Sequence, residues 1–274
     1  MLDLLKEMFS YPFMVRAILV GTIVALCSSL LGVSLVLKRY SMIGDGLSHV
    51  GFGALALATA LNMAPLTVSI VVLAAFLLLR ISESSKIKGD AAIALISTGA
   101  LAVGVMVISV TTGMNTDVCN YLFGSILSMS QSDVNLSVVL SVILLVLFVL
   151  FYNRIFAVTF DESFAKATGT NAGLYNMLIA LLTALIIVLG MRMMGALLIT
   201  SLIVFPALTS MRLCTRFKAV IINSAIISVL CLWVGLTISY VYATPTGAST
   251  VLCNIIVFFL YWIIQSVKGV VGHA

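Results

Sequence analysis

Charged residues are scarce in this sequence. They make up only 8% of its 274 residues, whereas a soluble domain carries roughly 25%. The hydrophobic fraction is 62% and the mean hydropathy is +1.27, so the polar residues are too few to cover a water-soluble globule. The long apolar runs do not alternate with polar residues, which favours spanning helices over barrel strands. The sequence therefore predicts an all-α polytopic transmembrane bundle.

Several chemical signatures are also absent. The five cysteines form no CxxC pair and four lie in apolar runs, which predicts core residues rather than disulfides or a zinc knot. The P-loop pattern GxxxxGK(S/T) of ATP-binding proteins does not occur. HExxH and GxSxG are missing too, and only one histidine lies in an apolar run, which argues against an intramembrane enzyme. The basic residues occupy short connections, as topology signals do, so nucleic-acid binding is not indicated.

Nine apolar runs approach the length of about 20 residues that a spanning helix needs. We place them at residues 14–37, 43–61, 65–82, 91–111, 134–152, 172–190, 194–213, 219–242 and 248–267. Residues 1–12 predict a short amphipathic helix that ends at Pro12, and residues 120–130 predict a short half-buried or re-entrant helix. The chain 1–274 is thus expected to form one transmembrane domain of about eight or nine spans.

The basic residues are divided unequally between the two sides of this predicted bundle. One set of connections holds eleven of the 14 Lys and Arg residues. They are Lys38, Arg39, Arg80, Lys86, Lys88, Arg154, Lys166, Arg212, Arg216, Lys218 and Lys268. The positive-inside rule places this set in the cytoplasm. We therefore expect the N-terminus outside the cell and the C-terminus in the cytoplasm.

Residues 153–171 form the longest polar connection. Asp161 is predicted to be a helix N-cap and Gly169 a C-terminal stop. Phe160 and Phe164, four residues apart, are expected on one helical face. Two interpretations stay open: a helix that lies against the bilayer, or a docking helix for a cytoplasmic partner.

A candidate metal site lies in the second run, within the sequence GDGLSHVG at residues 44–51. Charges inside spans cost roughly 2.5–3.5 kcal/mol, so each one is a functional candidate. Asp45 and His49 are one helical turn apart, so a carboxylate oxygen and an imidazole nitrogen can reach one divalent cation. His49 follows Arg39 by ten residues, about 15 Å along a helix, which is near the middle of the hydrocarbon layer.

A structural alternative exists for the same residues. In it, Asp45 caps the second helix and His49 forms a hydrogen bond to a neighbouring helix, while the glycines let helices pack closely. For a metal carrier, two ligands instead of four allow release of the ion. A neutral imidazole with a carboxylate suits Zn²⁺ or Mn²⁺ better than Mg²⁺ or Ca²⁺. Affinity should then fall as the pH drops below the histidine pKa of about 6.5.

Six stretches of this sequence resemble, in order, the integral membrane permeases of the zinc/manganese/iron ABC importers, the ABC-3 family. They are residues 30–53, 90–97, 121–127, 160–169, 194–210 and 244–251. The first contains the Asp-x-x-Ser-His core, and the fifth contains a buried proline. The resemblance covers nearly the whole chain. Glu162 stands where the family often has proline, and Gly46 where alanine is common.

This resemblance implies a two-fold permease dimer, either a homodimer or a heterodimer, in a bacterial cell membrane. It also implies a pair of cytoplasmic ATP-binding subunits and an external metal-binding protein. The expected cargo is Zn²⁺, with Mn²⁺ or Fe²⁺ as alternatives, and no permanently bound cofactor. ATP hydrolysis would belong to the separate subunits, so this chain is not expected to be an enzyme.

The resemblance also assigns roles to individual residues. It gives the metal role to Asp45 and His49. The pathway around them is implied to include Gly44, Gly46, Ser48 and Pro206. The ATPase-coupling role is implied for Phe160, Asp161, Glu162, Phe164, Ala165 and Gly169.

An ion-coupled secondary transporter is the main alternative to an ATP-driven importer. Such a protein needs a self-sufficient coupling site and usually has internal repeats. The sequence shows no clear repeat and few acids within its apolar runs. Proton dependence without an ATPase requirement would favour this alternative.

Overall fold

The computed structural model describes residues 8, 10–40, 42–61, 73, 89–111, 126, 129 and 131–271, and no strand occurs among them. Their helices are α1 (Pro12–Leu37), α2 (Ile43–Ala60), α3 (Gly89–Thr111), α4 (Gln131–Leu150), α5 (Tyr152–Phe160), α6 (Glu162–Ala167), α7 (Ala172–Met194), α8 (Ala196–Met211), α9 (Phe217–Tyr242) and α10 (Thr246–Val271). The predicted all-α bundle is confirmed.

Six of the described helices are long and apolar enough to cross a membrane, namely α1, α3, α4, α7, α9 and α10. The other apolar helices, α2 and α8, are shorter, with 18 and 16 residues. A helix of 16 residues is about 24 Å long, less than the hydrocarbon thickness of about 30 Å. The predicted span at 65–82 and the predicted short helix at 120–130 lie almost wholly outside the described residues.

Pro12 is the first residue of α1, a position that suits proline because the first helical N–H needs no partner. Met8 and Ser10 are also helical, but most of the helix predicted at residues 1–12 lies outside the described residues. One predicted helix boundary is wrong: α7 continues through Met194, so only Gly195 separates it from α8. Gly195 has φ +87°, a conformation that glycine adopts without the steric cost that a Cβ would bring.

Helix α1 lies at the centre of the bundle. It contacts α4, α5, α7, α8 and α9, and its side chains Ala17, Val24 and Leu31 are fully buried. Helices α2 and α3 pack mainly on each other, and α2 also contacts α7 and α8. The α2–α3 pair is therefore attached to the central bundle through α2.

A very close helix crossing joins α1 to α8. A Cβ atom added at Gly32 on α1 would lie 2.0 Å from the carbonyl oxygen of Ile203 on α8. The Ile203 side chain also faces α2, where a Cβ added at Gly44 would lie 3.7 Å from Ile203 Cδ1. Buried Pro206 follows on α8 and, having no N–H, leaves the carbonyl of Leu202 without its helical partner. Ile203 thus sits between α1 and the first turn of α2.

Several connections rich in basic residues lie together at one end of the bundle. Lys38, just after α1, donates a hydrogen bond to Asn176 near the start of α7. Tyr152 in α5 and Phe217 in α9 have ring centroids 5.7 Å apart. We call this region the basic end, which comprises residues 38–40, 152–171 and 212–217.

The cysteines in the described part of the chain are free. Cys27, Cys231 and Cys253 are buried, and Cys214 is half-buried. The prediction of core residues without disulfides is confirmed for these four.

We expect Gly32→Ala to destabilise the bundle, because the new methyl group would meet the backbone of α8 and push two central helices apart. Overpacking of this kind costs about 1–3 kcal/mol. The measurement is the thermal unfolding midpoint of the purified protein in detergent. Gly99→Ala on α3 is the matched control, because a Cβ there meets nothing within 4 Å. Equal midpoints for the two variants would contradict the close crossing.

Candidate functional site

The candidate metal ligands lie on the first two turns of α2. Helix α2 begins at Ile43, which places Asp45 in its first turn. Asp45 Oδ2 and His49 Nε2 are 3.5 Å apart. Their side chains are 56% and 24% exposed, respectively. The structure therefore brings the two predicted ligands together on an open face of the helix.

The opposite side of this helix start is tightly packed. Buried Ser48 donates a hydrogen bond from Oγ to the Gly44 carbonyl oxygen at 2.8 Å. Gly44 faces α8 and Gly46 faces α3, where an added Cβ would lie 2.4 Å from Ile93 Cγ2. The small residues thus let α2 sit between two helices, and this packing fixes the direction in which Asp45 and His49 point.

The separation of the two polar atoms fits joint coordination of one cation. Two ligand atoms in a tetrahedral site with bonds of about 2.1 Å are about 3.4 Å apart. The observed 3.5 Å is close to that value and longer than a typical hydrogen bond. No cluster of three or more His, Cys, Asp or Glu occurs among the described residues. An ion held here would thus keep coordination positions for water or other groups.

The structural alternative for these residues fits less well. Asp45 is inside the first turn and is not the N-cap, although a carboxylate there interacts favourably with the helix dipole. Within the described chain, the partner of His49 is Asp45, on its own helix. These contacts therefore do not include a hydrogen bond from His49 to a neighbouring helix.

The polar segment 153–171 folds as two short helices. Helix α5 ends at Phe160, and Asp161 is extended with φ −148° and ψ 98°. Asp161 then caps α6, because its Oδ1 accepts a hydrogen bond of 2.9 Å from the Phe164 N–H. After α6, Gly169 has φ +80°. The predicted N-cap and C-terminal stop are both confirmed.

The end of α6 has the two bonds of a Schellman motif. The Gly169 N–H donates to the Lys166 carbonyl oxygen at 3.0 Å, and the Thr170 N–H donates to that of Ala165 at 2.9 Å. The Ala165 side chain is buried against Val158 and Ala172. This short helix is therefore held at both ends and along one side.

The six candidate coupling residues divide into three kinds. Phe160 and Phe164 expose 59% and 64% of their surface. Asp161 and Gly169 form the two ends of α6, and Ala165 packs along its buried side. Glu162 is partly exposed and bonds to both Lys166 and Asn176. Only the two phenylalanines among the six offer large apolar surface to a partner.

The expectation that Phe160 and Phe164 share one helical face is wrong. The extended backbone at Asp161 separates their helices, so helical spacing does not apply across it. The Phe160 ring packs instead on Phe156 and Phe217, at centroid distances of 4.9 and 5.8 Å.

Sequence reasoning missed a polar cluster at the basic end. Asn176 accepts a hydrogen bond from Lys38 Nζ and donates one to Glu162 Oε2 at 3.2 Å. These three side chains line a cleft of about 530 Å³, together with Tyr40, Val158, Thr159 and Phe160. The available signal was an isolated amide near the start of an apolar run. Lys38 carried only topological information in the sequence.

The charge state of Glu162 follows from its neighbours. The Lys166 ammonium, 2.7 Å from Glu162 Oε1, lowers the pKa of the Glu162 carboxyl, and the hydrogen bond from Asn176 lowers it further. A lowered pKa means that the carboxylate is ionised at neutral pH. The interactions of the ionised carboxylate stabilise the folded protein fully above the ordinary pKa of glutamate. This stabilisation is lost as the pH falls through the lowered pKa.

Comparison with known proteins identifies the family. The sequence model of the ABC 3 transport family matches residues 10–265. A probable iron transport system membrane protein of Haemophilus influenzae is 32% identical over 98% of this chain and 96% of its own length. The high-affinity zinc uptake system membrane protein of the same organism is 29% identical, with 91% and 97% covered. A manganese transport system membrane protein of Halalkalibacterium halodurans is 26% identical, with 96% and 91% covered.

A solved structure agrees with these sequence matches. PsaBC from Streptococcus pneumoniae, in complex with Fab, contains a chain that is 27% identical to this one. The two superpose with a TM-score of 0.83 over 95% of this chain and 94% of the other. The sequence and the fold thus lead to the same conclusion: the chain belongs to the ABC 3 transport family.

Proposed function

We propose that this chain is the permease subunit of an ABC importer for a divalent transition metal, with zinc as the preferred cargo. The observation that carries the proposal is the Asp45–His49 pair. It is a carboxylate and an imidazole 3.5 Å apart on the open face of an apolar helix. Family membership and the iron, zinc and manganese relatives support transport of this class of ion.

The two ligands are compatible with zinc, although the same ligand types also bind manganese and iron. Zinc is commonly bound by imidazole and carboxylate at about 2.0–2.2 Å, distances that suit the observed separation. Zinc also exceeds manganese and iron in intrinsic affinity for such ligands. Manganese or iron import by the same architecture is the alternative, because relatives named for all three metals are 26–32% identical to this chain.

The transport cycle uses the two ends of the bundle differently. In our proposal, an external protein delivers the ion, and ATP-binding subunits act at the basic end, which faces the cytoplasm. Asp45 and His49 hold the ion for a short time because two side-chain ligands bind it weakly. A second permease copy completes the membrane unit. The chain itself is not an enzyme in this scheme, since ATP hydrolysis belongs to the partner subunits.

The exposed phenylalanines favour α6 as the docking element for the ATP-binding subunits. Phe160 and Phe164 lie at the basic end of the bundle, and their rings are exposed. Their burial by a partner is favourable, because it removes apolar surface from water. Phe164 stands on the helix that Asp161 caps. A capped, side-anchored helix presents this ring in a defined position, which lowers the entropy lost on docking.

Alanine substitution tests the metal site. Asp45→Ala and His49→Ala each remove one of two ligands, so we expect both to abolish metal uptake by the complex reconstituted in liposomes. Leu57→Ala is the control on the same helix, because Leu57 is an exposed residue more than two turns beyond His49 and its truncation leaves both ligands in place. Assembly with the ATP-binding subunit should be unchanged in all three variants. Normal uptake by both ligand variants would exclude this site.

A second experiment addresses docking. Phe164→Ala should reduce the amount of ATP-binding subunit that copurifies with the tagged permease, since the substitution removes exposed apolar surface from α6. Phe259→Ala on α10 is the control, because Phe259 is also exposed but lies outside the basic end. Similar copurification of the two variants would argue that α6 is not the docking element.

The choice of cargo is tested by ATPase activity. The reconstituted complex with its metal-binding protein is expected to hydrolyse ATP fastest with Zn²⁺, and more slowly with Mn²⁺ or Fe²⁺. Stimulation by Mn²⁺ or Fe²⁺ without stimulation by Zn²⁺ would overturn the zinc assignment and leave the permease assignment intact.

A further inference from the structure

Three structural elements meet at the side chain of Asn176. This residue lies on α7, its Oδ1 accepts a hydrogen bond from Lys38 Nζ, and its Nδ2 donates to Glu162 Oε2. Lys38 directly follows the central helix α1, and Glu162 is the first residue of α6. The Asn176 amide thus links the proposed docking helix to the end of α1.

An amide is well suited to this position. Lysine only donates hydrogen bonds and an ionised glutamate only accepts them, so a side chain between them must do both. Asn176 offers a carbonyl oxygen to the cation and an N–H to the anion. The bonds are charge-assisted, which makes them stronger than bonds between neutral groups. The Glu162 carboxylate stays ionised because of Lys166, so this arrangement persists at neutral pH.

A hydrogen-bonded turn joins Lys38 to α2, the helix that carries the candidate metal ligands. Helix α1 ends in a Schellman motif, with Tyr40 N–H bonded to the Leu35 carbonyl oxygen at 2.9 Å and Arg39 N–H bonded to that of Val36 at 3.0 Å. The Ile43 N–H then bonds to the Tyr40 carbonyl oxygen at 3.1 Å. Helix α2 therefore starts directly from this turn.

The distance along the chain from this turn to the proposed ligand is short. Asp45 follows Lys38 by seven residues and lies in the first turn of α2. No long loop lies between Lys38 and Asp45, so a displacement of Lys38 is passed on to the first turn of α2. Lys38, Glu162 and Asn176 line an open cleft at the basic end, where their hydrogen bonds join α6 to the end of α1. The polar contacts across the cleft thus carry part of the connection between α6 and α1.

We propose that Asn176 is a positioning residue that transmits movement of α6 to the metal site through Glu162, Asn176 and Lys38. This rests on the proposed function. When the ATP-binding subunits displace α6, the amide pulls on Lys38, and the turn after α1 carries that movement into the first turn of α2. Asn176 touches no ion; it links ATP hydrolysis to the position of Asp45.

Two substitutions break the connection in different ways. Asn176→Leu keeps the four-atom branched skeleton of the side chain and removes both hydrogen bonds. Lys38→Met removes the ammonium at the other end of the connection and leaves α6 and α7 unchanged. We expect both variants to dock the ATP-binding subunit and hydrolyse ATP, but to move roughly 2- to 30-fold less metal per ATP. Asn176→Gln, which retains donor and acceptor, should restore part of the ratio.

The double variant separates this role from a merely structural one. If Lys38 and Asn176 act in one connection, Asn176→Leu with Lys38→Met should lower the metal-to-ATP ratio no further than the worse single variant. A wild-type ratio in both single variants, or losses that multiply in the double variant, would overturn the proposal. Absence of metal transport by the wild-type complex would instead overturn the proposed function itself.

Discussion

The placement of α8 against α1 is the constraint on which the candidate site depends. Gly32 allows the carbonyl of Ile203 to approach the α1 backbone, and this contact fixes how deeply α8 sits in the bundle. The Ile203 side chain then supports the first turn of α2 at Gly44. The orientation of the exposed Asp45 side chain therefore depends on the contact between Gly32 and Ile203, which are on other helices. A larger residue at Gly32 would change the site without touching either ligand.

Much of this architecture is readable from the sequence, because membrane helices obey simple rules. Lipid forces backbone hydrogen bonds to be satisfied within each helix, so long apolar runs predict helices directly. The four-residue spacing of Asp45 and His49 predicts their proximity for the same reason. Asp161 and Gly169 are also predictable, since capping and left-handed termination depend on local residue chemistry.

Other features depend on tertiary contacts or on single residues that break a pattern. Arg192 interrupts the apolar sequence three residues before Gly195, so hydropathy alone favoured an end of α7 before the true one. The extended residue Asp161 separates Phe160 from Phe164, although their spacing suits one helix. Asn176 bonds to Lys38 and Glu162, which arrive from distant parts of the chain. The hydrophobic periodicity of a sequence does not indicate which distant residues form contacts.

The shortness of α2 and α8 has a consequence for the energy of a crossing ion. The Born cost of a charge rises with the depth of low-dielectric medium around it, and an intact bilayer presents about 30 Å of hydrocarbon. Helix α8, at 16 residues, reaches only about 24 Å. If the ion of the proposed function follows α2, these two shorter helices would shorten the hydrocarbon path beside it. Helix length, as well as the two proposed ligands, would then lower the barrier to the crossing ion.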